Sequence, residues 1–188
     1  AQLASQLCRE LGDDLVADPN VHRAEHSLEV QIPFIQVLFP DAKILPITVP
    51  PDENAHRFGE RLGEALHDLV DHVAIVGSSD LTHYGPNYNF VPKGLGEAAL
   101  RWVKESNDRT VIDLAVGLNA DRIVPRTTAD SSACGAGAIA ATAACCWALG
   151  CARGTLLHYT TSHDVMPERK MQSFVGYAAI AYGKKQAD

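Results

Sequence analysis

No stretch of the sequence is long and apolar enough to suggest a membrane span. A spanning helix needs ~18 or more consecutive apolar residues. The longest apolar region, residues 133–149, is alanine-rich and interrupted by Gly135, Gly137 and Thr142. Basic charge is also scarce: 16 Lys and Arg face 23 Asp and Glu, a formal net charge of −7, and no basic patch interleaves with aromatics. A polyanion partner, nucleic acid included, is therefore not expected. The five cysteines, Cys8, Cys134, Cys145, Cys146 and Cys151, are odd in number and show no C-x-x-C spacing. No signal-peptide pattern opens the chain, so they are expected to be reduced thiols of a cytoplasmic protein, not a disulfide framework. Two common signatures are missing as well. The G-x-G-x-x-A within "CGAGAIA" follows polar residues and has no acid about 20 positions on, so it is not a dinucleotide fingerprint. Gly77-Ser78-Ser79-Asp80 lacks the closing glycine of a nucleophile elbow.

What is present fits one domain over residues 1–188: 46% hydrophobic and 21% charged residues, and enough chain to bury a core without cross-links. The pattern opens on a helix over residues 1–12, with Leu3, Leu7 and Leu11 on one face and Gly12 ending it. The absence of an initiator Met and the start within an amphipathic pattern lead to the expectation of an N-terminally incomplete fold. Leu28, Ile32, Ile35 and Leu38 predict a second helix, with Pro33 kinking it or displacing its start. Residues 43–49 and 73–77 are apolar, β-rich runs expected to be strands, the latter of the parallel kind buried on both faces. Helices are predicted over 52–71, over 95–106 and 108–118 around Asn107, over 120–123, and over 133–149 up to Gly150. "VPRTTADSS" reads as a connection. "GTLLHYTT" and "SFVGYAAIAYG" read as two further strands separated by a charged loop. This alternation predicts an α/β fold, a three-layer αβα sandwich on a mostly parallel or mixed sheet.

Four constellations could carry chemistry. The first is "VGSSDLTHYG": an apolar strand running straight into Asp80, His83 and Tyr84, at the strand end where α/β proteins present ligand-binding loops. A carboxylate there can orient a histidine tautomer, raise its basicity, or share a metal with it. Structural capping explains the same residues equally well. The second is Cys134 at the start of the small-residue helix, where a helix N-terminus favours thiolate; Asp130, Ser131 and Ser132 are available as caps, and Gly135 and Gly137 would permit close backbone approach. The alternative is a packed thiol, the better description of Cys145, Cys146 and Cys151. The third is Glu25-His26 beside a helix start, and the fourth is His163-Asp164 near a strand end; surface capping and exposed loop positions are the plainer readings of these two.

Taken together, "AEHSLEVQIPFIQ", "VGSSDLTHYG", "ACGAGAI" and "YTTS…VGYAAIAYG" resemble, in order and separation, the Memo family, whose bacterial and archaeal members are called AmmeMemoRadiSam system protein B. The resemblance implies a fold related to the class III non-haem iron extradiol dioxygenases, with a cleft at the strand ends. It implies a site of two histidines and a cysteine, with an Asp and a further His close by. By motif the cysteine is Cys134, the Asp is Asp80 and the further His is His83, while Glu25, His26, Tyr84 and His163 become candidates to line the cleft. The family's two ligating histidines lie in "PHAGY"-like and "GPxHH"-like segments that this sequence does not contain, so it resembles the C-terminal two-thirds of a member.

Three functional expectations follow. The first is a metalloprotein carrying iron or copper at Cys134 and His83, with Asp80 and His83 in acid/base roles, performing redox chemistry on a small molecule or dioxygen. The second is a metal-free cysteine hydrolase built from Cys134, His83 and Asp80. The third is a non-catalytic module binding a peptide or protein. A partner segment or self-association is also expected wherever the fold leaves a sheet edge open.

Overall fold

The computed structural model describes residues 2–23, 25–69, 72–167 and 171–184. The fold is mixed α/β, consistent with the expected sandwich. Its elements are α1 (Gln2–Leu11), α2 (Ile32–Leu38), α3 (Ala55–Leu69), β1 (His83–Tyr84), α4 (Glu97–Trp102), α5 (Asp108–Val116), α6 (Ala120–Asp130), α7 (Ala136–Ala148), β2 (Cys151–Thr161), α8 (Ser162–Val165) and β3 (Phe174–Lys184). Among the described residues, no helix is long and apolar enough to cross a membrane.

The strands form a sheet in the order β1-β3-β2, with both pairings antiparallel. The parallel part of the expected sheet is not formed among the described residues. Residues 43–49 and 73–79 lie outside any strand, and their backbone makes no hydrogen bond to other described backbone. Their apolar side chains are still partly sorted. Ile47 and Ile75 pack against a core of Leu7 and Leu11 from α1, Leu62 and Leu66 from α3, and Cys145 from α7, whereas Ile44 and Val76 are 45% and 57% exposed. A strand of the doubly buried kind shows its second apolar face when no neighbour covers it.

Helices α3 and α7 meet closely because the sequence supplies small residues on both sides. A Cβ placed on Gly63 would lie 2.7 Å from the Cys145 carbonyl oxygen and from the Ala148 Cβ, and one on Gly59 would collide with the Ala141 backbone. The alanines of α7 therefore serve two interfaces, since Ala140, Ala143 and Ala144 also pack against Ile123 and Val124 of α6. The predicted helix over 120–123 extends to Asp130, and "VPRTTADSS" is largely helical. Pro125 loses one backbone donor. Burial of Ile123 and Val124, and the Thr127 hydroxyl donating to the Ile123 and Val124 carbonyls (2.9 and 3.1 Å), hold the turn around it. The two helices predicted around Asn107 are joined by a π-helical turn, Val103–Asn107, that leads directly into α5. Pro33 sits in the first turn of α2, and thus displaces the helix start as expected instead of kinking its middle.

Candidate functional site

The site forms where 80–84 meets the start of α7. Strand alternation divides its residues between two faces. Leu81, Thr82 and Tyr84 are buried, while His83 is partly exposed and turns to the cleft. Antiparallel pairing of His83 with Val175, and bonds linking Leu81 and Thr82 to Gly176 (Leu81 N to Gly176 O and Gly176 N to Thr82 O, both 3.0 Å), fix this arm against β3.

The second arm is the approach to α7. Cys134 precedes the helix, whose N-cap is Gly135 with no side-chain cap. Asp130 and Ser131 close α6 instead, Asp130 through an ion pair with Arg126 (2.5 Å) and Ser131 with φ 51°. The expectation that they cap the thiol's helix is therefore corrected: the chain must reverse between α6 and α7, and they are used in that reversal. The glycines also have a different use. A side chain on Gly135 would run into Ser79, and one on Gly137 into the Pro50 carbonyl, so they admit neighbouring chain to the helix start. Two backbone donors tie the arms together through Ser79 and Asp80. The Ser79 hydroxyl accepts from Gly135 N (2.9 Å) and donates to the Asp80 carbonyl (2.8 Å), and Cys134 N donates to that same carbonyl (3.2 Å).

The result is a cluster of three different donor types. His83 Nε2 lies 3.2 Å from Asp80 Oδ2, and one ligand atom each of Asp80, His83 and Cys134 falls within 4.8 Å of the others. Cys134 is exposed, and Asp80 and His83 are partly buried, so the cluster opens to solvent on the thiol side. A cavity of about 500 Å³ adjoins it, lined by His83, Tyr88, Phe90, Thr128, Ser131 and Cys134 among others. Cys145 and Cys146, by contrast, are buried in the core. Burial pushes the Cys145 thiol up to about 11 and the Cys146 thiol to about 12, with the nearby Cys151 adding to both.

The remaining sequence candidates separate in three dimensions. Tyr84 does not face the cleft. It is fully buried, donates to the Gly94 carbonyl (2.8 Å) and accepts from Lys93 N (2.9 Å), and stacks on Phe174. Being one residue from His83 on a strand, it falls on the opposite face, where it anchors the loop 85–94. Glu25 accepts from Ser27 N (2.6 Å), the Ser27 hydroxyl and Leu28 N (3.1 Å), a local cap; the Ser27 hydroxyl chiefly holds its carboxyl below the ordinary value. Glu25 and exposed His26 belong to a segment tethered to Ser78, whose hydroxyl donates to the Ser27 carbonyl (2.9 Å). His163 sits in α8, and Asp164 does not pair with it. That carboxylate completes a capping box with Thr161 and accepts from Lys104 (2.6 Å).

Two residues not anticipated from the sequence flank the cluster. The Tyr88 ring lies 4.9 Å from that of His83. The Tyr177 phenol on β3 is raised first by burial and then by the carboxylate of Asp80 and by Tyr88. Period-two alternation in "SFVGYAAIAYG" could have put Tyr177 on the His83 side; nothing local could have found Tyr88, because its ring reaches His83 only through the turn that Tyr84 anchors.

Comparison with known proteins identifies the family. The family described as Memo-like protein matches residues 2–181. The chain is 33% identical over 174 residues to a MEMO1 family protein of Thermococcus onnurineus, covering 89% of this chain and 59% of that relative. It is 33% identical over 183 residues to one of Pyrococcus furiosus (93% and 62%), and 37% identical over 177 residues to one of Methanosarcina mazei (90% and 59%). It thus spans about three-fifths of the length of these relatives. The chain belongs to the Memo-like family.

Proposed function

We propose that Cys134 and His83 hold a redox-active metal ion, iron or copper, with Asp80 beside them as an orienting and acid/base group, in an oxidoreductase site acting on a small molecule or dioxygen. The observation that carries this reading is the convergence of a carboxylate oxygen, an imidazole nitrogen and a thiol sulfur within 4.8 Å, from segments 54 residues apart. The donor set fits the group: a sulfur beside an imidazole suits copper or thiolate-bound iron better than magnesium or calcium. When bound, the ion would supply electron exchange with the substrate. The chain's own residues do the rest. Asp80 orients the His83 ring through the 3.2 Å contact at Nε2, Tyr88 covers one side of that ring, and the adjoining cavity gives a small molecule access to the exposed thiol side. The histidines that the family resemblance assigns to upstream segments would complete the ligand set. The free thiols would suit a reducing cytoplasm.

Metal stoichiometry tests the reading. The chain, purified reduced and offered Fe(II), Cu(I) and Zn(II) without oxygen, is expected to take up about one ion, and Cys134→Ala to lose it. Equal affinity in the variant would refute the assignment. Rapid stoichiometric alkylation of Cys134 in metal-free protein, with no metal uptake, would instead favour a hydrolase in which His83 serves the thiol and Asp80 orients His83.

A separate observation favours a binding role for another surface. Residues 45–49, whose backbone has no backbone partner among the described residues, line a cavity of about 1040 Å³ together with Leu15, Val21 and Phe58. His22, whose buried Nδ1 has no partner among the described residues, lines it too. Such a surface takes an extended apolar segment by strand addition. A partner segment of that kind is the occupant we propose, with self-association as the competing outcome when the chain is examined alone by sedimentation.

A further inference from the structure

Beneath the cluster lies a buried polar network that the proposed function does not use. Asp108, fully buried at the start of α5, accepts from Thr82 N (3.0 Å) and the Thr82 hydroxyl (2.5 Å) on Oδ1, and from the Tyr159 hydroxyl (2.7 Å) on Oδ2. Asn107, 4% exposed, donates from Nδ2 to the Thr82 hydroxyl oxygen (2.9 Å) and to the Asp130 carbonyl (3.2 Å). Both residues stand at the junction of the π-helical turn with α5, and π-helical turns recur at functional sites because the extra residue re-aims side chains. The network is built in depth. Gly176 on β3 has no room for a side chain, because a Cβ would collide with Asp108 Oδ2.

Its connections matter more than its burial. Thr82 is the residue before His83, and Asp130 lies in the last turn of α6, from which the chain reverses toward Cys134. The surface ties between Ser79, Asp80, Gly135 and Cys134 fix Asp80 to the thiol arm. They reach His83 only through the Asp80 side chain, 3.2 Å from its Nε2, and leave its backbone unheld. Asp108 grips Thr82 from inside by backbone and hydroxyl, and Asn107 spans from Thr82 to the α6 end of the other arm.

We infer that Asn107 and Asp108 are positioning residues: through Thr82 and the Asp130 carbonyl they set the separation of His83 from Cys134, and hence the site's affinity for its ion. The inference rests on the metal-site reading for its functional consequence, though not for its geometry. Burial of an unpaired carboxylate would be costly, so the three donors to Asp108 have to be matched as a set; the same set gives the clamp a single arrangement. Outer-shell groups of this kind are worth roughly 10–100-fold in metal affinity.

Two readouts test it. With Co(II) as a spectroscopic probe, Asn107→Ala and Asp108→Ala are expected to bind roughly 10–100-fold more weakly than wild type, with a weakened thiolate-to-cobalt band. Asp108→Asn, which keeps an oxygen toward Thr82 and can donate to the Tyr159 hydroxyl, is expected to stay near wild type. The second readout needs no metal. The His83 ring resonances should shift on Cys134→Ala in the wild-type background, and that response should be lost in Asn107→Ala. If the alanine variants do not fold, Thr82→Val carries both measurements, since it keeps shape and the backbone bond to Asp108 while removing both hydroxyl bonds. Unchanged cobalt affinity together with an unchanged His83 response would overturn the inference. Failure of the wild type to bind cobalt would count against the metal reading, leaving the His83 response to decide the positioning role.

Discussion

Alkylation of the native protein should separate its cysteines into two groups by far more than their exposure alone implies. At pH 8 an ordinary thiol with pKa ~8.5 is roughly one-quarter thiolate. A thiol at about 11, as for Cys145, is thiolate to about one part in a thousand, and one at about 12, as for Cys146, to about one in ten thousand. The thiolate population alone therefore slows these two roughly 200-fold and 2,000-fold relative to an ordinary thiol. Burial adds to this, because Cys145 is fully buried between α3 and α7 and reagent must wait for an opening of the core. Cys134 is exposed, so reagent reaches it without any opening of the core. Iodoacetamide at pH 8, followed by peptide mass spectrometry over time, should label Cys134 first and half-buried Cys8 more slowly. Cys145 and Cys146 should remain unlabelled until denaturant is added. Native labelling of Cys145 or Cys146 within tenfold of Cys134 would refute the packing of α7 against α3, and with it the isolation of Cys134 as the one exposed thiol.

Tyr84→Phe should cost about 1–3 kcal/mol in urea unfolding, since it leaves the Lys93 amide and the Gly94 carbonyl without their partner; a change below ~0.5 kcal/mol would mean that the hydroxyl does not anchor that loop. The same substitution should loosen Tyr88 and so perturb the His83 ring resonances. The acid limb of stability should respond to Lys104→Met. Burial opposes ionisation of Asp164, but the Lys104 and Thr161 donors outweigh it and hold the carboxyl below its ordinary value of 3.8. A depressed carboxylate stabilises the fold above that ordinary value and loses its contribution as pH falls through the folded one. The gap in unfolding free energy between wild type and Lys104→Met should therefore be present at pH 7 and vanish at strongly acid pH; a gap independent of pH would count against the pair. Both side chains are about one-third exposed, so the gap should be small.

Much of the helical layout was legible in the sequence because it depends on local pattern. Leu7 and Leu11 with Leu62 and Leu66 mark the buried faces of α1 and α3 by period, and Gly12 and Gly150 mark where helices must stop. The three chemical groups at the heart of the site were legible too, since a carboxylate, an imidazole and a thiol stand out against apolar surroundings at element ends. Misreadings arose where a local rule met a tertiary competitor. "VPRTTADSS" read as a connection, but burial of Ile123 and Val124 kept the turn around Pro125 helical. Of the two readings of His163-Asp164, the acid/base pair does not form: Asp164 is a cap and an ion-pair partner of Lys104. Residues 43–49 and 73–77 have the composition of strands, the latter of the parallel kind, yet a strand requires a neighbour to pair with, and composition carries no information about whether one is there.

What the sequence by itself determined was the inventory: most of the helices, the two long strands, the family resemblance, and Asp80, His83 and Cys134 as the candidate site residues. What only the tertiary structure decided was their company. Side chains alternate across a strand, so the neighbour Tyr84 turned inward while Tyr88 reached His83 through the turn. Asn107 and Asp108, unremarkable at a helix junction, came to lie under both arms of the site. Proximity in a fold is set by packing between elements far apart in the chain, and local periodicity carries no record of it.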